Sequence, residues 1–338
     1  MAEAFDASLT AADFAGQPAA ERLLGGSIPH ALLITGMPGV GKRSLAQLIV
    51  RTLLCTGEKK PCGACPACIQ LAAGSNPDVF ILRPGEHISP KARDGSKGIS
   101  VDDIREAVRL AGEHAYGAGN RVFVIEQAEN MNESAQNALL KTLEEPQPGV
   151  VFILLTDMAG MLLSTIRSRC REIQLHLWPD SKVLAVLRAH GVAEATALAA
   201  AQAAGGSIGR ALAIASDTAW WERRKRLMED FFGLEKRSDI PLVSADWREQ
   251  KGEADALFDD LTGMVQTLML VRYSRADKAQ LADYPEAWQR MAQQGDAAAF
   301  VRLLDAISQA AMLRQSQVTW QAILEQLMLR FMEEKSKW

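Results

Sequence analysis

Gly36-Met-Pro-Gly-Val-Gly-Lys42 is a G-x4-G-K run set between a short apolar stretch and a stretch with helical period. The spacing suits a phosphate chain. Glycines let successive backbone N–H groups converge on phosphate oxygens, a helix N-terminus adds positive potential, and Lys42 can reach the terminal phosphates. Gly36, Gly39, Gly41 and Lys42 are therefore the candidate nucleotide-binding residues. The next position normally brings a hydroxyl to Mg²⁺; here it is Arg43, a fixed cation. Hydrolysis also calls for an acidic pair after a strand, an Asp for the metal and usually a Glu to orient the attacking water. The run Arg121-Val-Phe-Val-Ile125 ends instead in Glu126-Gln127, and the Gln127 amide cannot accept a proton. Arg43, Glu126 and Gln127 together predict a degenerate site that binds nucleotide weakly or not at all. Retention of Lys42 leaves residual ATP binding open.

A second constellation is made of sulfur. Four of the five cysteines, Cys55, Cys62, Cys65 and Cys68, follow C-x6-C-x2-C-x2-C, with Pro61, Gly63 and Pro66 suited to tight turns between them. In a reducing compartment four local thiols read as a metal site. Thiolates two residues apart turn toward one ion, and four fill a tetrahedral zinc shell with no place left for water, so the zinc is expected to be structural. A redox-active C-x2-C pair is the competing reading. Cys170 stands apart and reads as an inert buried thiol.

The third is Ser164-Thr-Ile-Arg-Ser-Arg-Cys170, between two strand-like runs. In an oligomeric ATPase an arginine placed here faces nucleotide on the adjacent subunit, where a planar guanidinium stabilises charge on the transferring phosphoryl group. Arg169 is that candidate, against the plainer alternative of a solvated basic turn.

These residues need a scaffold, and the hydrophobic pattern supplies one. His30–Thr35, Asp78–Leu82, Arg121–Ile125, Val150–Leu155 and Ile173–Leu177 are short apolar runs that read as strands, the first four as buried parallel ones. Between them, 42–54, 100–112 and 131–144 carry helical spacing; Ser100 is placed to cap its helix, and Pro146 ends the last. Strands alternating with helices imply a three-layer α/β domain with a parallel sheet. His87–Gly98 has turn residues and charges without period and reads as a surface loop. From Pro179 onward the pattern is helical, first an alanine-rich block to Gly205-Gly206, then a longer region from Trp220. There Trp320, Ile323, Leu324, Leu327, Met328 and Phe331 form one apolar face. Arg223-Arg-Lys-Arg226 reads as a solvated or interfacial helix face. The five histidines form no cluster.

Composition bounds the function. With 37 Lys+Arg against 41 Asp+Glu, the net charge of −4 excludes attachment to nucleic acid by bulk positive charge. No run reaches the ~20 apolar residues of a membrane span. The acidic N-terminus lacks a secretory n-region, so the expectation is a cytoplasmic protein with no membrane partner.

Gly16-Gln17, His30–Lys42, the cysteine cluster, NALLKTLEEP (137–146) and STIRSRC (164–170) together resemble the delta-prime family of bacterial DNA polymerase III clamp-loader subunits, which are AAA+ proteins. The resemblance implies a RecA-like AAA+ domain over 1–177 with a zinc module inserted at 55–68. It further implies a helical lid over 178–216 and a helical collar over 217–338. It implies a non-hydrolysing subunit in a hetero-pentameric ring with gamma/tau and delta subunits. In such a ring Arg169 serves in trans while a sliding clamp is loaded onto primer-template DNA. One further departure lies in the lid, where Gly206-Ser207-Ile208-Gly209-Arg210 places its arginine one residue late, a rotation of ~100° on a helix. An active gamma/tau-type ATPase is the alternative.

Overall fold

In the computed structural model, which describes residues 4–92, 98–117, 119–273, 281, 284–314 and 318–338, five strands form one parallel sheet. They are β1 (Ala31–Thr35), β2 (Val79–Leu82), β3 (Arg121–Ile125), β4 (Val150–Thr156) and β5 (Arg171–Gln174), in the order β2-β3-β4-β1-β5. Every residue of β1, β3 and β4 is buried, as continuous apolar runs covered on both faces require. The observed β5 starts two residues before the expected run and ends before Leu175.

Register decides what the sheet can do. Thr35 pairs with Thr156, Ile125 with Leu154, and Leu82 with Ile125, so β1, β2, β3 and β4 end at the same edge of the sheet. The residues just past those ends, Gly36, Arg83, Glu126 and Asp157, are thereby gathered where open α/β sheets hold their ligands.

Helix α1 (Pro18–Leu24) precedes β1, and α2 (Lys42–Leu54), α3 (Pro66–Ala72), α4 (Val101–Ala111), α5 (Glu133–Glu144) and α6 (Ser164–Arg167) connect the strands. Ser100 caps α4 by accepting from the Asp103 N–H at 3.1 Å, and Asn132 caps α5 by accepting from the Ala135 N–H at 2.8 Å. On one face of the sheet, Phe80, Phe123 and Phe152 occupy one register row and stack with ring centroids 5.0 and 4.8 Å apart. The His87–Ala92 part of the expected loop is irregular, and residues 93–97 lie outside the described residues.

The chain divides between Trp178 and Pro179 into two units. The second is helical: α7 (Asp180–Ala189), α8 (Glu194–Ala204), α9 (Ile208–Ser216), α10 (Thr218–Leu227), α11 (Ile240–Asp246), α12 (Ala254–Tyr273), α13 (Glu286–Gln294), α14 (Ala297–Leu313) and α15 (Trp320–Lys335). Its core gathers Phe231, Phe232, Trp247, Trp288, Phe300 and Phe331, and all six residues of the expected α15 face are buried there. The arginines of the basic run are engaged within the unit and are not fully solvated. Arg223 donates to Asp260 at 2.7 Å, Arg224 is buried over the Trp220 ring, and Arg226 lies 4.3 Å from the Trp247 ring centroid. Only Lys225 of the four is exposed, because Asp260 of α12 meets Arg223, the Trp220 ring of α10 itself meets Arg224, and the 246–247 turn meets Arg226.

Candidate phosphate loop, metal centre and trans arginine

β1 runs straight into the glycine loop, and α2 opens at Lys42. Gly39 and Gly41 hold φ of +75° and +104°, the left-handed region that an L side chain resists. Gly36 is needed for space as well: a Cβ there would sit 2.6 Å from the Leu175 carbonyl oxygen. The loop has the form expected of a phosphate cradle.

Its polar groups are engaged within the chain. Lys42 Nζ donates to the Gly36 and Met37 carbonyls at 2.7 and 2.8 Å and pairs with Asp157, just past β4. Arg43 Nη2 donates to Glu126 Oε2. Arg83, just past β2, grips the same carboxylate, Nε to Oε2 at 3.0 Å and Nη2 to Oε1 at 3.4 Å. Glu126 is therefore a buried carboxylate between two guanidinium groups. A carboxylate so paired would have to leave both cations before it could hold Mg²⁺. Gln127 is exposed, with φ of +50°, the one non-glycine residue at positive φ among those described.

The rim of the loop is closed by an aromatic. Trp178 Nε1 donates to the Val40 carbonyl at 2.9 Å, and the ring lies 4.0 Å from where a Cβ of Gly16 would stand. Beside it the Gln17 amide both donates to the His176 carbonyl at 2.8 Å and accepts from the His176 N–H at 2.9 Å.

The four clustered cysteines converge. Their Sγ atoms lie within 4.8 Å of one another, with Cys55 and Cys65 at 4.0 Å. Zinc–sulfur bonds of about 2.3 Å need sulfurs about 3.8 Å apart, so the residues present fit a tetrahedral ion. The N–H groups of Gly57 and Cys62 point to Cys55 Sγ at 3.4 and 3.2 Å, and that of Cys65 to Cys62 Sγ at 3.3 Å. Gly57 is obligatory, since a Cβ there would meet Cys62 Cβ at 2.7 Å. The Thr56 backbone, foremost, brings the Cys65 thiol down to about 5, whereas burial pushes Cys68 up to about 12. A dication shared by all four sulfurs removes that opposition. Cys170 is buried and its thiol is pushed up to about 12 by burial, which leaves it unreactive.

Arg169 follows α6. Its Nη1 donates to the Thr165 carbonyl at 3.0 Å and lies 3.4 Å from Ser168 Oγ, while Nη2 pairs with Glu144, the last residue of α5. Its Nε is shut away from solvent with no partner among the described residues. In the second unit Arg210 is exposed on the first turn of α9, its N–H on the Ser207 hydroxyl at 3.2 Å.

Asp157, Arg83, Glu144 and Gly57 were not singled out from sequence. Arg83 and Asp157 carry one signal that could have found them: Arg83 directly follows an apolar run as Glu126 does, and Asp157 follows one after Thr156. Strand order was needed to make them neighbours.

Residues 17–178 match the family described as DNA polymerase III, delta subunit. The DNA polymerase III subunit delta' of Haemophilus influenzae is 33% identical over 219 residues, 63% of each chain. That of Pseudomonas aeruginosa is 43% identical over 143 residues, 42% of this chain and 41% of its own. The DNA polymerase III subunit gamma/tau of Mycobacterium tuberculosis is 32% identical over 172 residues, 50% of this chain and 28% of its own. The chain thus matches less than two thirds of the length of each of these relatives.

Proposed function

We propose that the chain, which over residues 17–178 is similar to the DNA polymerase III delta family and to delta' subunits, is a delta-prime-type clamp-loader subunit that does not hydrolyse ATP. Its role is to offer Arg169 to the nucleotide of a neighbouring gamma/tau-type subunit. The two stand in a hetero-pentameric ring that also holds a delta subunit and places a sliding clamp on primer-template DNA. One observation carries the reading: Glu126, which stands where a hydrolase holds Mg²⁺, is committed to Arg43 and Arg83. Lys42 is likewise satisfied by loop carbonyls and Asp157, and Gln127 offers an amide where a base is needed. In this reading residues 1–177 are the AAA+ domain, 178–216 the lid and 217–338 the collar that joins the ring. Zn²⁺ on Cys55, Cys62, Cys65 and Cys68 braces the inserted module. With a net charge of −4, DNA is held by the assembly and not by this chain's own charge.

The likeness to gamma/tau and the retained Lys42 favour one alternative, an active motor subunit. Nucleotide binding and turnover by the isolated chain, with and without Mg²⁺, separate the two. The expected result is no Mg²⁺-dependent turnover; robust turnover lost in Lys42→Ala would make the chain a motor. In the loader reconstituted with gamma/tau subunits, Arg169→Ala is expected to lower DNA-stimulated ATPase at least tenfold at the site it serves, below the ~10³-fold or more that such arginines can supply.

A further inference from the structure

The pairing of Arg169 with Glu144 has a specific geometry. An arginine can meet a phosphoryl group through its Nε/Nη2 edge or its Nη1/Nη2 edge. Here Nε is closed off from solvent, so only the Nη edge can face outward. That edge is held by contacts from different elements, Thr165 O and, at 3.4 Å, Ser168 Oγ on Nη1 and the Glu144 carboxylate on Nη2. The Arg169 side chain is 32% exposed, so part of its head stays open to solvent.

Glu144 is also poorly placed for its own helix. It is the last residue of α5, next to Glu145, where the carbonyl end of the helix dipole repels negative charge. Helix stability gives no reason for a carboxylate there, and a neutral residue suits the position better. Exposed ion pairs of this kind contribute little to folding. The pair therefore has little value as a brace.

We propose that Glu144 is a positioning residue for the trans arginine: it holds the Arg169 guanidinium in the one orientation from which its Nη edge can reach a phosphoryl group on the neighbouring subunit. The inference rests on the reading of Arg169 given above. A long side chain fixed before the partner arrives does not lose its rotamer freedom at the moment of reaction. The negative charge that builds on a transferring phosphoryl group exceeds that of a carboxylate, so Glu144 can share Nη2 without retaining it.

The test uses the full loader reconstituted with gamma/tau subunits, carrying Glu144→Gln, Glu144→Asp, Arg169→Ala or the Arg169→Ala/Glu144→Gln pair, with ATPase followed across ATP concentrations. Glu144→Gln is expected to lower kcat about three- to tenfold with KM unchanged. Glu144→Asp should recover part of the loss, and the double variant should be no slower than Arg169→Ala alone. Thermal unfolding of the Glu144→Gln chain should be unchanged or slightly raised. An unchanged or raised kcat in Glu144→Gln, or a double variant slower than Arg169→Ala, overturns the proposal. A normal rate in Arg169→Ala overturns the underlying reading of the trans arginine instead.

Discussion

Arg43, the residue directly after the phosphate-loop lysine, donates its Nη2 to Glu126, the first residue past β3. In the proposed reading, a position that normally leaves room for a metal ion carries a cation instead, and that cation binds the carboxylate that would otherwise hold the metal. Replacing it by the usual hydroxyl, Arg43→Thr, should leave Glu126 with Arg83 alone and make nucleotide binding respond to Mg²⁺. Stability should change by no more than about 1 kcal/mol, because the Arg43 head is half exposed. Turnover should still be absent, since Gln127 cannot accept a proton. Calorimetric titration with ADP or ATP, with and without Mg²⁺, measures the first effect; binding that stays indifferent to Mg²⁺ would mean that Arg83 alone suffices to hold Glu126 away.

Asp157 is the anion that Lys42 already has. Asp157→Asn removes that competitor, and phosphate or nucleotide should bind about tenfold tighter, the size of one charge-assisted contact. Lys42→Met in the same background should cancel the gain. Equal affinities in the parent and Asp157→Asn chains would show that the pair does not guard the loop.

For the cysteine module, metal analysis of fresh protein should return one zinc per chain, lost in Cys62→Ser. Removal of the ion should be felt locally. The Phe5 N–H donates to the Leu71 carbonyl at 3.0 Å, so α3 also anchors the N-terminal segment. Hydrogen exchange should rise across residues 55–72 and near Phe5 while β1, β3 and β4 stay protected. Exchange that rises through the whole sheet would contradict a local role.

Asp103 gives the first unit an acid limit. Burial alone would raise its carboxyl, but the Ser100 hydroxyl, His87 and the Ser89 and Ile88 N–H groups together bring it below the usual 3.8. A carboxyl lowered on folding stabilises fully above its unfolded value, and that contribution disappears as pH falls through the lowered one. The unfolding midpoint of the parent should therefore drop below pH 3.8, and Asp103→Asn should be less stable at pH 6 but flatter in acid. Parallel pH profiles for the two chains would assign the acid limit elsewhere.

The fold was legible because apolar runs and helical spacing are local. Ser100 as a cap, the buried runs of β1, β3 and β4, and the α15 face all stand as read. The four cysteines converge because their spacing is short enough for local turns to bring them together. What could not be read is pairing across distance. Glu126 and Arg43 were each recognised as departures from a hydrolase, but that they bind each other, with Arg83 as a third member, follows only from the order β2-β3-β4-β1. The arginines of 223–226 look solvated in a linear string because Asp260 and Trp247 lie 20 or more positions away. Glu144 stood inside a recognised segment, and nothing local linked it to Arg169, which is 25 positions later.

Of the seven tryptophans, six lie beyond residue 219, and Trp178 is the single one in the first unit. Its indole N–H is bound to the Val40 carbonyl, inside the glycine loop. The loop thus has a built-in optical gauge. Any rearrangement that frees Val40 changes the polarity around one indole, and the emission difference between the parent chain and Trp178→Phe isolates it from the other six. A rearrangement of the loop can therefore be watched in real time in the unlabelled protein.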